Sequence, residues 1–355
     1  MVEYSKRTKH DVVLITDKNT TALRPWLSQK VEIIEVGPLR TVQAFERLHP
    51  ILIKLPQCEI DVLVSFVCEI LSEGVVFRNK LTPSIAYVAG LFRFVDSIAQ
   101  KFKFSEEKLV WVAKLYGLFA ESSLSRYSKL VANSSFVKEK IVKLTKLERN
   151  HHNVEVINPG VDTHFFKPIN VFDNYFLAVS RIDPLKRLDL LISAFNRFRQ
   201  MGNKDFRLVV AGYLNPKNRS YLDHLQRVSG KHVEFIINPA DESLVKLYQH
   251  SYAFLFTALK EPFGITPLEA MSCGKPVIAT GLGGYTDYMV NSQNSLLVAP
   301  NPIAIAEAMS LLGKDDRLFA TMTDNARKTA LALDWEVFTQ KMDRLVDLVA
   351  EDPRH

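Results

Sequence analysis

Twice along the chain, short runs of β-branched and apolar residues alternate with stretches of helical periodicity, and few folds accommodate that alternation. In the first half the runs fall near Asp11–Thr16, Val31–Val36, Asp61–Phe66, Ser84–Val88, Lys129–Ala132 and Val154–Ile157, with a helical pattern over Ser134–Leu147. In the second half they fall near Tyr175–Val179, Phe206–Ala211, Val233–Ile236, Ala253–Phe256, Pro276–Ala279 and Ser295–Val298. After the first of these, Leu188, Leu191, Ile192, Phe195 and Phe198 recur at the spacing of one helix face. Strands alternating with helices are βα units, which predict α/β domains built on parallel sheets.

A length of 355 residues suffices for two such domains, each with its own core. The Asn158-Pro159-Gly160 turn, followed by Pro168 and a fresh strand at Tyr175, marks a boundary within Asn158–Asn174. The expected division is therefore 1–170, 171–334 and a last helix within 335–355. That helix, over about Trp335–Ala350, exceeds what the second sheet needs; it either braces the first domain or lies on the surface.

Composition narrows the function classes. A hydrophobic fraction of 47% and a charged fraction of 24% are those of a globular protein. No run of about 18 apolar residues reads as a membrane span, and Met1–His10 lacks the apolar core of a secretory signal. The cysteines, Cys58, Cys68 and Cys273, have no zinc-like spacing and suit a reducing compartment, so a cytoplasmic location is expected. Residues 1–170 hold 24 Lys+Arg against 18 Asp+Glu, whereas residues 171–355 hold 21 of each. The excess positive charge thus belongs to the first half, where Phe92, Phe94, Phe102, Phe104, Trp111, Tyr116 and Phe119 interleave with Arg93, Lys101, Lys103, Lys108 and Lys114. Such a stretch is either buried aromatics beside a solvated face or a peripheral contact with a membrane surface. Nucleic acid is not an expected partner, because neither a zinc finger nor an RNA-binding aromatic signature is present.

Three loops carry the chemistry. Lys260-Glu261-Pro262-Phe263-Gly264-Ile265-Thr266-Pro267-Leu268-Glu269 follows an apolar strand and opens a helix near Pro267, placing two carboxylates eight positions apart. Gly264 permits close backbone approach to a ligand, and the helix N-terminus suits an anion such as a diphosphate. Thr266-Pro267-Leu268-Glu269 also reads as a capping box, which would give Glu269 a purely structural duty. Ser180-Arg181-Ile182-Asp183-Pro184-Leu185-Lys186-Arg187 offers a guanidinium fork and a mobile ammonium for phosphate oxygens. Gly281-Leu282-Gly283-Gly284 is a glycine-rich turn of the kind that cradles phosphates. All three leave the carboxyl ends of strands, where doubly wound sheets bind ligands.

These residues together resemble the group 1 glycosyltransferases, retaining enzymes of the GT-B fold, over residues 175–300. Arg181 and Lys186 match the family's diphosphate-binding pair, and Glu261 and Glu269 its Glu-x7-Glu motif. Asn133-Ser134 with Phe136, and Val156-Ile157-Asn158-Pro159-Gly160-Val161-Asp162, match further segments. The resemblance implies two Rossmann-like domains facing a cleft and a nucleotide-sugar donor, with GDP-mannose or UDP-glucose the leading candidates. It implies a glycan, lipid-linked or protein acceptor. Glu261 would touch the transferred sugar and Glu269 the nucleotide ribose. The backbone of Phe263, Gly264, Ile265, Gly283 and Gly284 would hold phosphate or sugar hydroxyls. Arg181, Lys186 and Glu261 would carry the chemistry without a cofactor or metal ion, and no Asp-x-Asp pair is present.

Two departures stand beside the match. Met1–Lys9 reads as the end of the family's first helix, leaving its first strand and glycine loop unaccounted for, and Ala89 occupies the position of a histidine that lies near the donor sugar. Both features favour an alternative, a non-catalytic donor- or glycan-binding protein derived from this fold. A sugar-nucleotide epimerase of the same fold is a further rival.

Overall fold

The alternation of strand and helix resolves into two α/β units, each on parallel sheet. A computed structural model describes residues 2–11, 13–16, 32–35, 51–53, 62–67, 75–77, 84–89, 124–125, 127–145, 154–169, 171–258, 260–281 and 283–351. Cys58, Cys68, the basic aromatic stretch from Phe92 to Phe119 and the Gly90–Phe94 end of its neighbouring segment lie outside them. One unit comprises Met1–Asn158 with Trp335–His355, the other Pro159–Asp334.

The first unit opens with helix α1 (Val2–Arg7) and strands β1 (Val13–Thr16) and β2 (Glu32–Glu35), which pair in parallel. Strands β3 (Ile51–Ile53) and β5 (Val75–Phe77) also pair in parallel. At three residues each they are too short to show a period. Strands β4 (Leu63–Val67), β6 (Ser84–Val88), β7 (Lys129–Ala132) and β8 (Val154–Val156) form a four-stranded parallel sheet in the order β4-β6-β7-β8. Every residue of β6 is buried, as expected of a parallel strand covered on both faces. Helix α2 (Ser135–Leu144) starts where the Ser134 hydroxyl accepts from the Val137 N–H at 3.1 Å. Helix α9 (Trp335–Ala350) belongs to this unit, burying Phe338, Met342, Leu345 and Val349 against Tyr4, Ile85, Tyr87 and Val131. Asp343 of α9 accepts from the Tyr4 hydroxyl at 2.9 Å and the Lys9 N–H at 3.2 Å, so a buried carboxylate is satisfied where the N-terminal segment meets α9.

The second unit is a six-stranded parallel sheet in the order β11-β10-β9-β12-β13-β14. Its strands are β9 (Tyr175–Val179), β10 (Arg207–Gly212), β11 (Val233–Ile237), β12 (Ala253–Phe256), β13 (Val277–Thr280) and β14 (Ser295–Val298). Helices α3 (Leu188–Gln200), α4 (Arg219–Val228) and α7 (Pro302–Leu312) cover one face; α5 (Asp241–His250) and α6 (Ile265–Ser272) cover the other, and α8 (Asp316–Leu331) contributes to both cores. Phe176, Phe195 and Phe198 are fully buried on the first face and Phe254 on the second, each contributing about 1.5–3 kcal/mol by area removed from water. The chain runs outward from β9 to β11, then returns to β12 and runs the other way. The order therefore reverses between β9 and β12, the topological switch point of a doubly wound sheet.

Residues 159–169 pack on this unit, so the division falls after Asn158 and not at residue 170. The Arg327 guanidinium donates to the carbonyls of Thr163 at 3.1 Å, Phe166 at 3.1 Å and Ser272 at 2.7 Å. The Thr163 hydroxyl donates to Asp334 at 2.6 Å, and the Val161 N–H to the Leu333 carbonyl at 2.9 Å. Among the described residues no helix is long and apolar enough to cross a membrane.

Candidate functional site

The loop after β9 is shaped by its own side chains. Asp183 accepts from the Leu185 N–H at 2.9 Å and caps a single 3-10 turn, Pro184–Lys186. Arg187 then takes the left-handed conformation, φ 53°, and opens α3. The Thr257 hydroxyl, just past β12, binds the carbonyls of Lys186 at 2.9 Å and Arg187 at 3.1 Å. That clasp fixes the loop across the switch point, and Lys186 Nζ reaches Glu261 Oε2 at 2.6 Å. The pair is largely buried, with side-chain exposures of 11% and 24%. Its geometry is that of a charge-assisted hydrogen bond. Arg181 is exposed, and among the described residues its guanidinium has no hydrogen-bond or ion-pair partner.

Glu261 is also held through its backbone. It forms a parallel bridge with Gly283, and its carbonyl accepts from the Gly284 N–H at 2.8 Å. A Cβ at Gly283 would stand 2.5 Å from the Tyr285 ring and 2.8 Å from the Glu261 carbonyl oxygen, so only glycine lets the two loops meet. Tyr285 is buried edge-on against Phe256 at 5.2 Å and donates its hydroxyl to the Thr280 carbonyl, bracing the glycine turn from beneath. Gly264 has φ 87°, a conformation that suits glycine, and its carbonyl accepts from the Tyr288 hydroxyl at 2.5 Å. Phe263 is buried against Tyr288 at 5.2 Å, leaving Ile265 as the first residue of α6.

The start of α6 corrects the reading of Glu269. A helix opening near Pro267 with Thr266 as cap would let Glu269 reach back as a capping box. Instead the helix begins at Ile265 with Gly264 at the cap, and Glu269 stands a full turn inside it. Pro267 is accommodated because the first N–H groups of a helix have no intrahelical partner. The Glu269 carboxyl accepts from the Tyr248 hydroxyl of α5 at 2.6 Å. Burial, partly offset by that bond and reinforced by Asp241, pushes Glu269 up to about 7; burial and the nearby Glu269 raise Tyr248 as well. Tyr248 carries no spacing signal, lying twenty-one positions upstream on another helix, and sequence reasoning missed it.

The structure thus brings Lys186, Glu261, Gly283 and Gly284 into one cluster, with Phe263, Gly264 and Ile265 at the adjoining helix start and Glu269 inside α6. Arg181 stands on the β9 loop that also carries Lys186. Ala89, in the first unit, receives the Asn133 carboxamide N–H on its carbonyl at 2.9 Å.

Two parallel-sheet α/β units, one with charged and glycine-rich loops at the switch point of a six-stranded sheet, define a protein of the GT-B class. Residues 162–329 match the family model of the group 1 glycosyl transferases. Over 158 residues the chain is 31% identical to a probable sucrose-phosphate synthase of Thermosipho melanesiensis, covering 41% of this chain and 36% of that protein. Over 214 residues it is 27% identical to the alpha-1,3/1,6-mannosyltransferase ALG2 of Dictyostelium discoideum, covering 56% and 51%. The chain spans about half the length, or less, of these curated relatives. The fold matches the crystal structure of Anabaena HepE in complex with UDP and glucose, with a TM-score of 0.71 and 16% identity, covering 98% of this chain and 94% of that one.

Proposed function

We propose that the protein is a retaining glycosyltransferase that moves a hexose from a nucleotide diphosphate, UDP-glucose or GDP-mannose, to a glycan, lipid-linked or protein acceptor. The observation that carries this reading is the Lys186–Glu261 pair at 2.6 Å, seated against the Gly283–Gly284 turn at the switch point. An ammonium has three donors, so Lys186 can hold Glu261 with one and offer others to a leaving diphosphate. Arg181, exposed on the same loop, and the N-terminus of α6 supply further positive potential. With that much positive charge at the site, the diphosphate needs no metal ion to offset its charge.

In the reaction, the bond between the anomeric carbon and the phosphate oxygen breaks, and a bond from the acceptor oxygen forms on the same face. The acceptor proton passes to a departing phosphate oxygen. Glu261 orients the sugar and Lys186 stabilises the charge that develops on the diphosphate. Glu269 receives the ribose hydroxyls. The similarity to a mannosyltransferase and to a structure holding UDP and glucose supports the donor class.

The test is the steady release of nucleotide from UDP-glucose and GDP-mannose, with candidate acceptors, by the wild type and by Glu261→Ala and Lys186→Ala. A donor turned over by the wild type and lost in both variants supports the proposal; unchanged turnover in both variants sinks it.

A further inference from the structure

Tyr213 is the first residue beyond β10 and is 55% exposed. A single exposed aromatic is ordinary on a protein surface, so its place in the fold must decide its meaning. Gly212 before it has φ 148°, and a Cβ there would lie 1.7 Å from the Ser180 carbonyl oxygen. The ends of β10 and β9 therefore approach too closely for any side chain at position 212. Beyond the strands the contact continues, with the Ser180 N–H donating to the Ala211 carbonyl at 3.1 Å and the Ile182 N–H to the Tyr213 carbonyl at 2.8 Å. Tyr213 is thereby fixed beside the loop that carries Arg181.

Its other side is fixed as well. Asn238, just past β11, is left-handed at φ 52°; its N–H donates to the Gly212 carbonyl at 2.9 Å, and its side-chain oxygen accepts from the Leu214 N–H at 3.2 Å. A non-glycine residue in that conformation is uncommon and is retained where the surroundings over-determine it. Tyr213 thus presents a large ring from a backbone held on both flanks, at the carboxyl edge of the sheet and one strand from the switch point.

An exposed ring and an exposed guanidinium on adjacent, mutually bonded strand ends form a recognition pair for one chemical class. The planar face suits a heterocyclic base and the fork suits phosphate oxygens. We infer that Tyr213 is the platform on which the nucleobase of the donor stacks. The inference rests on the nucleotide-sugar reading given above and adds to it the residue that favours a nucleotide over a bare diphosphate.

Calorimetric titration of UDP, GDP and inorganic pyrophosphate into the wild type, Tyr213→Ala and Tyr213→Phe tests it. Tyr213→Ala should weaken the preferred nucleotide about tenfold while pyrophosphate affinity stays within about twofold of wild type; Tyr213→Phe, which keeps the ring, should bind both as wild type does. Equal nucleotide affinity in wild type and Tyr213→Ala overturns the platform while leaving the donor site standing. Equal loss of nucleotide and pyrophosphate overturns it too, because the ring would then act only by shaping the Arg181 loop. Failure of the wild type to bind any nucleotide removes the glycosyltransferase reading itself, and the platform with it.

Discussion

Glu261 and Glu269 stand eight positions apart in the sequence, yet they live in opposite electrostatic surroundings. Glu261 lies in a loop, pinned by the glycine turn and facing an ammonium at 2.6 Å. Glu269 sits inside α6, faces a neutral phenol at 2.6 Å, and is pushed up to about 7 by burial. One carboxylate faces a formal cation, whereas desolvation holds the other near the point of protonation. Two identical side chains thereby acquire different competences. In the proposed reaction, Glu261 would hold a fixed position against the sugar, and Glu269 would accept hydroxyl hydrogens with a strength that varies with pH.

The largest expected effect is at Glu261. Glu261→Ala or Lys186→Ala should lower kcat by roughly 10²–10³-fold, the scale of losing one preorganised electrostatic contact, with nucleotide affinity changed much less. Comparable losses in kcat from Glu269→Ala would erase the distinction. Gly283→Ala comes next. It forces Glu261's backbone aside while leaving α6 alone, so turnover should drop about 10–100-fold with an unaltered pH dependence of nucleotide binding. Third, Glu269→Ala should weaken UDP or GDP about 10–30-fold in a calorimetric titration, as expected for a lost charged hydrogen-bond acceptor.

The pH dependence sharpens the comparison further. The folded state holds the Glu269 proton from the ordinary value near 4.5 up to about 7, whereas the unfolded chain releases it near 4.5. Stability therefore falls as pH rises through that window, by at most about 1.4 kcal/mol per pH unit, and Glu269→Gln should flatten the urea-denaturation profile there. In the same window nucleotide affinity should rise with pH in the wild type, as the carboxylate forms, and stay flat in Glu269→Gln. The smallest effect belongs to Tyr248→Phe, which removes the bond that lowers Glu269 and should move the midpoint of that binding profile upward by a fraction of a unit.

Much of the second unit was legible because its strands are buried runs bounded by turns. Tyr175–Val179, Ala253–Phe256 and Ser295–Val298 stand where the sequence puts them, and α3 follows its periodic apolar face from Leu188. What stayed hidden was long-range or conformational. Lys186 and Glu261 are 75 positions apart, and nothing in either loop says that Thr257 will clasp them together. The capping box failed because a left-handed Gly264 and the Tyr288 hydroxyl on its carbonyl start α6 two residues early. Local signals at Thr266 and Glu269 were genuine, and tertiary contacts overrode them.

The Val161 N–H and the Leu333 carbonyl are bonded at 2.9 Å, and Val161 bridges Asp334, so the second unit's entrance and exit meet at one seam. A stretch of chain whose two ends are already joined can be lifted from one gene and set into another with little demand on its host. Pro159–Asp334 therefore has adjoining ends, the arrangement that lets a domain sit as an insertion with little disturbance of the chain on either side.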